Sequence, residues 1–226
     1  EQAAGPHPTV LIGHGGTQHK RVPNVLGLAR RFVRHLGATV YAIDALGHGD
    51  RIVDTAAAEA ARERLQGRIA SGSRTMDLSD DERKVWADRT RRGVVEWSAL
   101  VDDIEKDGAS NGSIGYWGVS MGTAIGLPFV ASEPRVGAAV LGLAGLGGAI
   151  NSADFEAAAR SLTIPILFVF QWDDELMSRE SGTALFDAIG SSEKTMHINP
   201  GGHVNTPLFE RDDYERFFAR HLNFES

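Results

Sequence analysis

The sequence contains no cysteine. That absence excludes a disulfide framework, a thiolate metal site and a cysteine nucleophile together. Basic residues are also too few to balance the acids: 23 Lys and Arg against 30 Asp and Glu give a formal net charge of -7 at pH 7. A surface that tracks phosphates needs a clustered excess of Lys and Arg, so nucleic acid is not an expected partner. Long apolar runs are missing as well. The most apolar stretch, "VGAAVLGLAGLGGAI" from Val136 to Ile150, is glycine-rich and shorter than the roughly 20 residues that cross a bilayer, so no membrane association is expected. The opening "EQAAGPHPTV" lacks the basic start and apolar core of a secretion signal, although a chain whose signal had been removed would look the same. We expect a cytoplasmic protein, a monomer or homodimer, with a secreted mature form as the alternative.

What is present points to one compact domain. The chain has 226 residues, 42% of them hydrophobic, enough for one substantial core and too few for two. Three short β-like runs, "TVLIGHGG", "TVYAIDALGHG" and "IGYWGVSMG", each end in a glycine-bearing turn, and helical patterns follow. That alternation is the mark of βαβ units and a parallel sheet. In "PNVLGLARRFVRHLG", Val25, Leu28, Ala29, Phe32, Val33 and Leu36 fall at helical spacing with Gly37 as the stop. Further strands are expected in "VGAAVLGLAG", "PILFVFQW" and "KTMHINP". Helices are expected in "SADFEAAARSL" (capped by Ser152 or Asp154), "SRESGTALFDAIG" and "TPLFERDDYERFFARHL". The sum is six strands, all parallel.

One segment interrupts this rhythm. From Arg51 to Gly93 the sequence predicts a helix in "DTAAAEAARERLQGRIA", a loop at "SGSRT", and a second helix opening near Ser79, where Ser79 and Glu82 have the spacing of a capping box. A further helix, "VVEWSALVDDIEKDG", is then expected to follow. An insertion of this size beside the C-terminal edge of a sheet is a candidate lid; a solvated helical excursion is the plainer alternative.

The chemistry centres on "GVSMG", Gly118 to Gly122, lying between a predicted strand and a predicted helix. This is the Gly-x-Ser-x-Gly pattern in the context a nucleophile elbow requires: the chain turns so tightly that Cβ atoms two positions either side of the serine would collide with neighbouring backbone. Ser120 would then sit at a helix N-terminus, where the dipole favours developing negative charge. A serine hydroxyl needs a base. Of the eight histidines, His203 in "NPGGHVNTP" lies between the last predicted strand and the last helix and points from the same sheet edge. His14 and His48 precede the serine and read as loop-bracing residues. For the acid that orients the imidazole, "QWDDELM" follows the strand "ILFVF"; Asp174 is the choice and Asp173 the runner-up. An oxyanion needs two backbone N–H donors. Met121 supplies one, and Gly16, with Thr17 as alternative, supplies the other from "GHGGTQHK".

On these motifs and their order, the chain resembles the α/β-hydrolase superfamily, closest in style to small dienelactone-hydrolase-like serine esterases. The resemblance covers nearly the whole chain. It implies a three-layer α/β-hydrolase fold, with Ser120 as nucleophile, Asp174 as acid, His203 as base and no cofactor or metal. It also implies that the serine strand lies beside the "TVLIGHGG" strand. Two departures stand out. Only eight residues precede "TVLIGHGG", so the usual antiparallel front edge is expected to be missing. Dienelactone hydrolases proper use a cysteine nucleophile, which moves the expectation towards ordinary carboxylic esters.

The expected substrate is therefore a small to medium ester, with a lactone as the nearest alternative. A thioesterase, a carbon–carbon bond hydrolase or a non-catalytic ligand-binding relative are the other readings. Trp86, Trp97, Trp172 and Met177 are candidates to line the pocket, with Met76 and Met121 beside them, although large apolar residues more often form core. Arg89, Arg91 and Arg92 could attract an acidic substrate, but a charged helix face is the simpler reading.

Overall fold

The computed structural model describes residues 7–74, 78–147 and 153–224. Met76 and Ser152, singled out above, lie outside the described residues. Six strands form one parallel sheet: β1 (His7–Gly13), β2 (Thr39–Tyr41), β3 (Ser110–Val119), β4 (Val136–Gly142), β5 (Ile166–Gln171) and β6 (Lys194–Asn199). Their spatial order is β2-β1-β3-β4-β5-β6. The winding therefore reverses between β1 and β3, where Gly13 pairs with Gly118. A parallel sheet covered on both faces reads as continuous apolar runs rather than alternation, and every residue of β5, "ILFVFQ", is buried.

Helices cover both faces. On one side, α1 (Pro23–Arg31) and α7 (Glu210–His221) bring Val25, Leu28, Tyr214 and Phe218 against Val10, Ile12 and Trp117. On the other lie α3 (Asp80–Lys106), α4 (Met121–Ser132), α5 (Ala153–Ser161) and α6 (Arg179–Ala188). They pack Trp97, Ile125, Phe155 and Leu185 against Leu11, Tyr116 and Phe168. The result is the expected three-layer architecture. Among the described residues, no helix is long and apolar enough to cross a membrane.

The structure departs from the sequence reading in three places. The insertion does not end at Gly93: its second helix and the one after it are a single 27-residue helix, α3, opened by a full capping box at Ser79 and Glu82. Gly93 is not a break because it faces inward; a Cβ there would lie 2.5 Å from Ile125 Cγ2, so glycine lets α3 approach α4 closely. The helix after "PNVLGL" is regular only to Arg31 and continues as a wide π turn, Phe32–Leu36, to Gly37 at φ 66°; Val33 is left exposed. The last helix begins at Glu210 rather than at Thr206, because the Glu210 N–H closes a turn on Pro207 O at 3.2 Å.

The remaining helix, α2 (Thr55–Ser71), is capped by the Asp54 side chain and ends at Gly72 in the left-handed conformation. None of its residues is buried. With the N-terminal half of α3 it stands above the C-terminal edge of the sheet, and the two helices flank a large cavity.

Candidate active site

The tight turn after β3 is built around Tyr116. Its ring is fully buried, and its hydroxyl donates to Gly122 O at 2.8 Å. A Cβ on Gly13, Gly118 or Gly126 would fall 2.2, 2.7 or 2.1 Å from a Tyr116 side-chain atom, and one on Gly122 would fall 2.7 Å from Gly13 O. Of the two elbow glycines, Gly118 is therefore required by the tyrosine wedged beneath the turn and Gly122 by the close approach of the β1 backbone. Thr123, also buried, ties the turn to β4. Its hydroxyl accepts the Gly142 N–H at 2.8 Å and lies 2.8 and 2.7 Å from the carbonyls of Gly118 and Gly142.

Ser120 is held at φ 58°, ψ -118°, outside the regions open to L-residues at low cost. The non-glycine residues with positive φ among those described are Thr17 (57°), Ser120 (58°) and Leu143 (50°), and all three line the same cavity. Backbone strain of this kind, on the order of 1–3 kcal/mol each, persists where the surroundings over-determine it and clusters at functional sites.

Three side chains from three separate loops meet in a row. His203 Nε2 lies 2.9 Å from Ser120 Oγ, and His203 Nδ1 lies 2.8 Å from Asp174 Oδ2. A carboxylate only accepts, so it takes the Nδ1 proton and leaves the Nε2 lone pair facing the serine hydroxyl. Asp174 is 1% exposed. Its other oxygen accepts the Leu176 and Met177 N–H groups at 2.8 and 2.9 Å, which fixes the carboxylate's direction. Asp173, the runner-up, points elsewhere: it accepts the Gly201 N–H at 3.2 Å and faces Arg179 at 3.6 Å on the surface.

Two supporting residues escaped the sequence reading. The Glu175 carboxylate accepts the His203 backbone N–H at 2.7 Å, and a Cβ on Gly202 would strike it at 2.1 Å. Asp44 accepts from the Lys20 N–H, Lys20 Nζ and the Asp50 N–H at 2.8, 2.8 and 3.0 Å, binding the loop after β1 to the loop after β2. Burial pushes the Asp44 carboxyl up, but these hydrogen bonds outweigh it and hold the group down at about 2. The only sequence signal for either residue was an acid near a glycine turn.

His14 braces its loop: Nδ1–H donates to Gly15 O at 2.8 Å and Nε2 accepts the Ala45 N–H at 3.0 Å. His48 bonds Leu46 O within its own loop at 3.1 Å, lies against His14 with the rings tilted by 49° and their centroids 5.3 Å apart, and also lines the cavity. Burial lowers both histidines, His48 to about 4.

Gly16 and Met121 flank Ser120 in the cavity wall, where a Cβ built on Gly16 would lie 3.9 Å from that of Met121; Thr17 lies beside them. The turn after β1 and the start of α4 thus meet beside the serine. The arrangement can activate a hydroxyl, hold its proton and stabilise an oxyanion.

The cavity measures about 1920 Å³, larger than the about 300–1,000 Å³ of a usual small-molecule pocket. Trp86 and Met177 lie in its wall. Two expectations are corrected. Trp97 is 3% exposed, packed edge-on to Tyr116 at 5.7 Å, and reaches only a void of about 20 Å³. Trp172 is a surface residue, 45% exposed beneath the Arg179 guanidinium at 3.9 Å. Helical phase turned the first into core, and the strand's end left the second in solvent.

The three arginines clustered in the middle of α3, Arg89, Arg91 and Arg92, are not alike. Arg91 and Arg92 both reach Asp88, at 2.5 and 2.8 Å, and stay exposed as a charged helix face. Arg89 turns into the cavity instead.

No protein-family model and no curated protein matches the chain. Solved structures do. A PEG-bound complex of a novel cold-adapted esterase from an Arctic intertidal metagenomic library is 33% identical, with 97% of this chain and 85% of that chain covered and a TM-score of 0.78. Two others share the fold at low identity. Est1E from Butyrivibrio proteoclasticus, bound to ferulic acid, is 15% identical over 96% of this chain and 90% of that one, with a TM-score of 0.67. The esterase Pf2001 from Pyrococcus furiosus is 14% identical over 97% and 83%, with a TM-score of 0.66.

Proposed function

The chain belongs to the esterases of the α/β-hydrolase superfamily, enzymes that act on ester bonds, and on that premise we propose that it is a serine hydrolase working through an acyl-enzyme. The observation that carries the reading is the unbroken row Ser120 Oγ to His203 to Asp174 at 2.9 and 2.8 Å. Ser120 Oγ attacks the ester carbonyl while His203 Nε2 takes the hydroxyl proton. Asp174 stabilises the imidazolium that forms. The tetrahedral oxyanion accepts the N–H groups of Gly16 and Met121, with Thr17 as the alternative to Gly16. Collapse breaks the bond to the alcohol oxygen, which leaves with the His203 proton. Water, deprotonated by His203, then attacks the acyl-enzyme, and the same oxyanion donors serve until the acid is released and Ser120 regains its proton.

The substrates proposed are small-molecule esters of small to medium size, the cavity's volume placing no tight limit on the acyl chain. Trp86, Met177 and Leu65 supply apolar wall. Helix α2 and the N-terminal half of α3, within the 51–93 insertion, act as the roof, and their side chains shape acyl selection. The short connection between β4 and β5 agrees with a compact, dienelactone-hydrolase-like member. The test is hydrolysis of p-nitrophenyl esters from acetate to octanoate by the native chain and by Ser120→Ala: turnover lost in the variant supports the reading, and an unaltered rate refutes it.

A further inference from the structure

The cavity holds positive charge that no carboxylate among the described residues pairs with. Arg89 lies in its wall with Nε donating to Leu46 O at 3.1 Å and the guanidinium over the Trp86 ring at 4.8 Å. Among the described residues, no carboxylate pairs with it. Burial lowers its pKa with no opposing contribution, although a guanidinium stays cationic regardless. From the roof, Arg68 reaches the same cavity, and its Nε is buried without a hydrogen-bond partner.

The acids around the cavity are already committed. Asp50 pairs with Lys20 at 2.9 Å, Asp81 with Lys84 at 3.1 Å, and Asp88 with Arg91 and Arg92. Asp54 caps α2, Glu82 closes the Ser79 capping box, and Glu180, also in the cavity wall, bonds Ser178 at the start of α6. In a chain whose formal net charge is -7, the uncommitted charge among the described residues of the cavity wall is therefore cationic. Removing a charge from water without a partner is unfavourable. A guanidinium that keeps free N–H donors, held flat by an aromatic ring and a carbonyl, is pre-organised for a carboxylate.

We infer that the cavity selects esters carrying a carboxylate remote from the scissile bond, with Arg89 receiving that carboxylate and Arg68 adding a second positive charge. The inference rests on the serine-hydrolase reading above. It makes Arg89 a specificity residue rather than a participant in bond cleavage. It also accounts for why Arg91 and Arg92 point outward and share Asp88 while Arg89 points inward with no carboxylate partner among the described residues.

The probe is a pair of acyl chains of equal length, p-nitrophenyl hemisuberate and p-nitrophenyl octanoate, compared by kcat/KM. The native chain is expected to prefer the charged ester. Arg89→Gln should lower the charged-to-neutral ratio at least tenfold, mainly through KM of the charged ester, and Arg68→Gln should lower it by a smaller factor. Arg91→Gln, on the outer face of the same helix, should leave the ratio where it was. An independent measurement needs no variant: suberate should inhibit octanoate hydrolysis by the native chain at least tenfold more strongly than 1,8-octanediol. An unchanged ratio in Arg89→Gln, or equal inhibition by the two additives, overturns the inference while leaving the serine-hydrolase reading intact. Absence of hydrolysis of both esters by the native chain overturns the two together.

Discussion

The Glu175 carboxylate accepts the backbone N–H of His203 at 2.7 Å, while the neighbouring acid, Asp174, accepts that residue's imidazole N–H at 2.8 Å. Adjacent carboxylates thus hold the same histidine by its main chain and its ring. Removing the first should misplace the imidazole without touching the substrate. Glu175→Ala is expected to lower kcat by roughly 10–100-fold, since a displacement on the order of 1 Å can cost 10²-fold, with KM little changed. Glu175→Gln, which keeps an acceptor oxygen, should recover most of the loss. Steady-state kinetics of both variants separate this from a merely structural role, which would not discriminate between them.

Asp174→Asn should lower kcat by roughly 10³–10⁴-fold, because an amide at this position favours the wrong imidazole tautomer. The fold should survive, since the amide oxygen can still accept the Leu176 and Met177 N–H groups now bonded to Oδ1. Asp173→Asn should have little effect, its carboxylate being on the surface. Equal losses in the two variants would show that the acid has been misassigned.

Gly93→Ala pits helix propensity against packing. Alanine gains about 1 kcal/mol in a helix interior, but its Cβ would fall 2.5 Å from Ile125 Cγ2, and overpacking of a core costs about 1–3 kcal/mol. Net destabilisation of about 1 kcal/mol is expected in denaturant unfolding. In an Ile125→Ala background the same substitution should become neutral or stabilising, a coupling that a double-mutant cycle reads directly.

Acid should destabilise the protein in two successive windows. His48 titrates at about 4 when folded, against 6.5 as its ordinary value, so between those values the unfolded chain binds a proton that the folded chain does not. Stability is then greatest above pH 6.5 and falls as pH drops towards 4. His14 acts in the same sense. Asp44 takes over lower down: held at about 2 against 3.8, its contribution is present above 3.8 and is lost as pH falls towards 2. In the upper window His48→Gln should flatten the dependence of unfolding free energy on pH, and the native His48 imidazole should titrate near 4 by NMR. A midpoint near 6.5 would contradict this.

The parts of this molecule visible in its sequence are those governed by local pattern. Continuous apolar runs revealed the parallel strands, the Ser79–Glu82 spacing revealed a helix start, and the chain order of serine, acid and histidine pointed to side chains that stand in a row with successive contacts of 2.9 and 2.8 Å. What stayed hidden depends on contacts distant in sequence. Gly93 looked like a stop because its reason, Ile125, lies on another helix. Trp97 and Trp172 could not be sorted from Trp86 without knowing which helix face and which strand end meets solvent. Glu175 gave no sign of its role because the His203 N–H that it accepts lies far along the chain. Arg89 could not be told from Arg91 and Arg92, since only the three-dimensional placement of Asp88 and Trp86 separates a paired surface cation from one turned inward.

The most direct test of the central claim is covalent labelling with a fluorophosphonate, read by intact mass and peptide mapping. A serine activated by His203 should displace fluoride and take up one phosphonyl group on Ser120, with hydrolytic activity lost in proportion to labelling. His203→Ala should label far more slowly. Stoichiometric labelling at another residue, or full ester hydrolysis by a chain unmodified at Ser120 after prolonged exposure, would contradict the account.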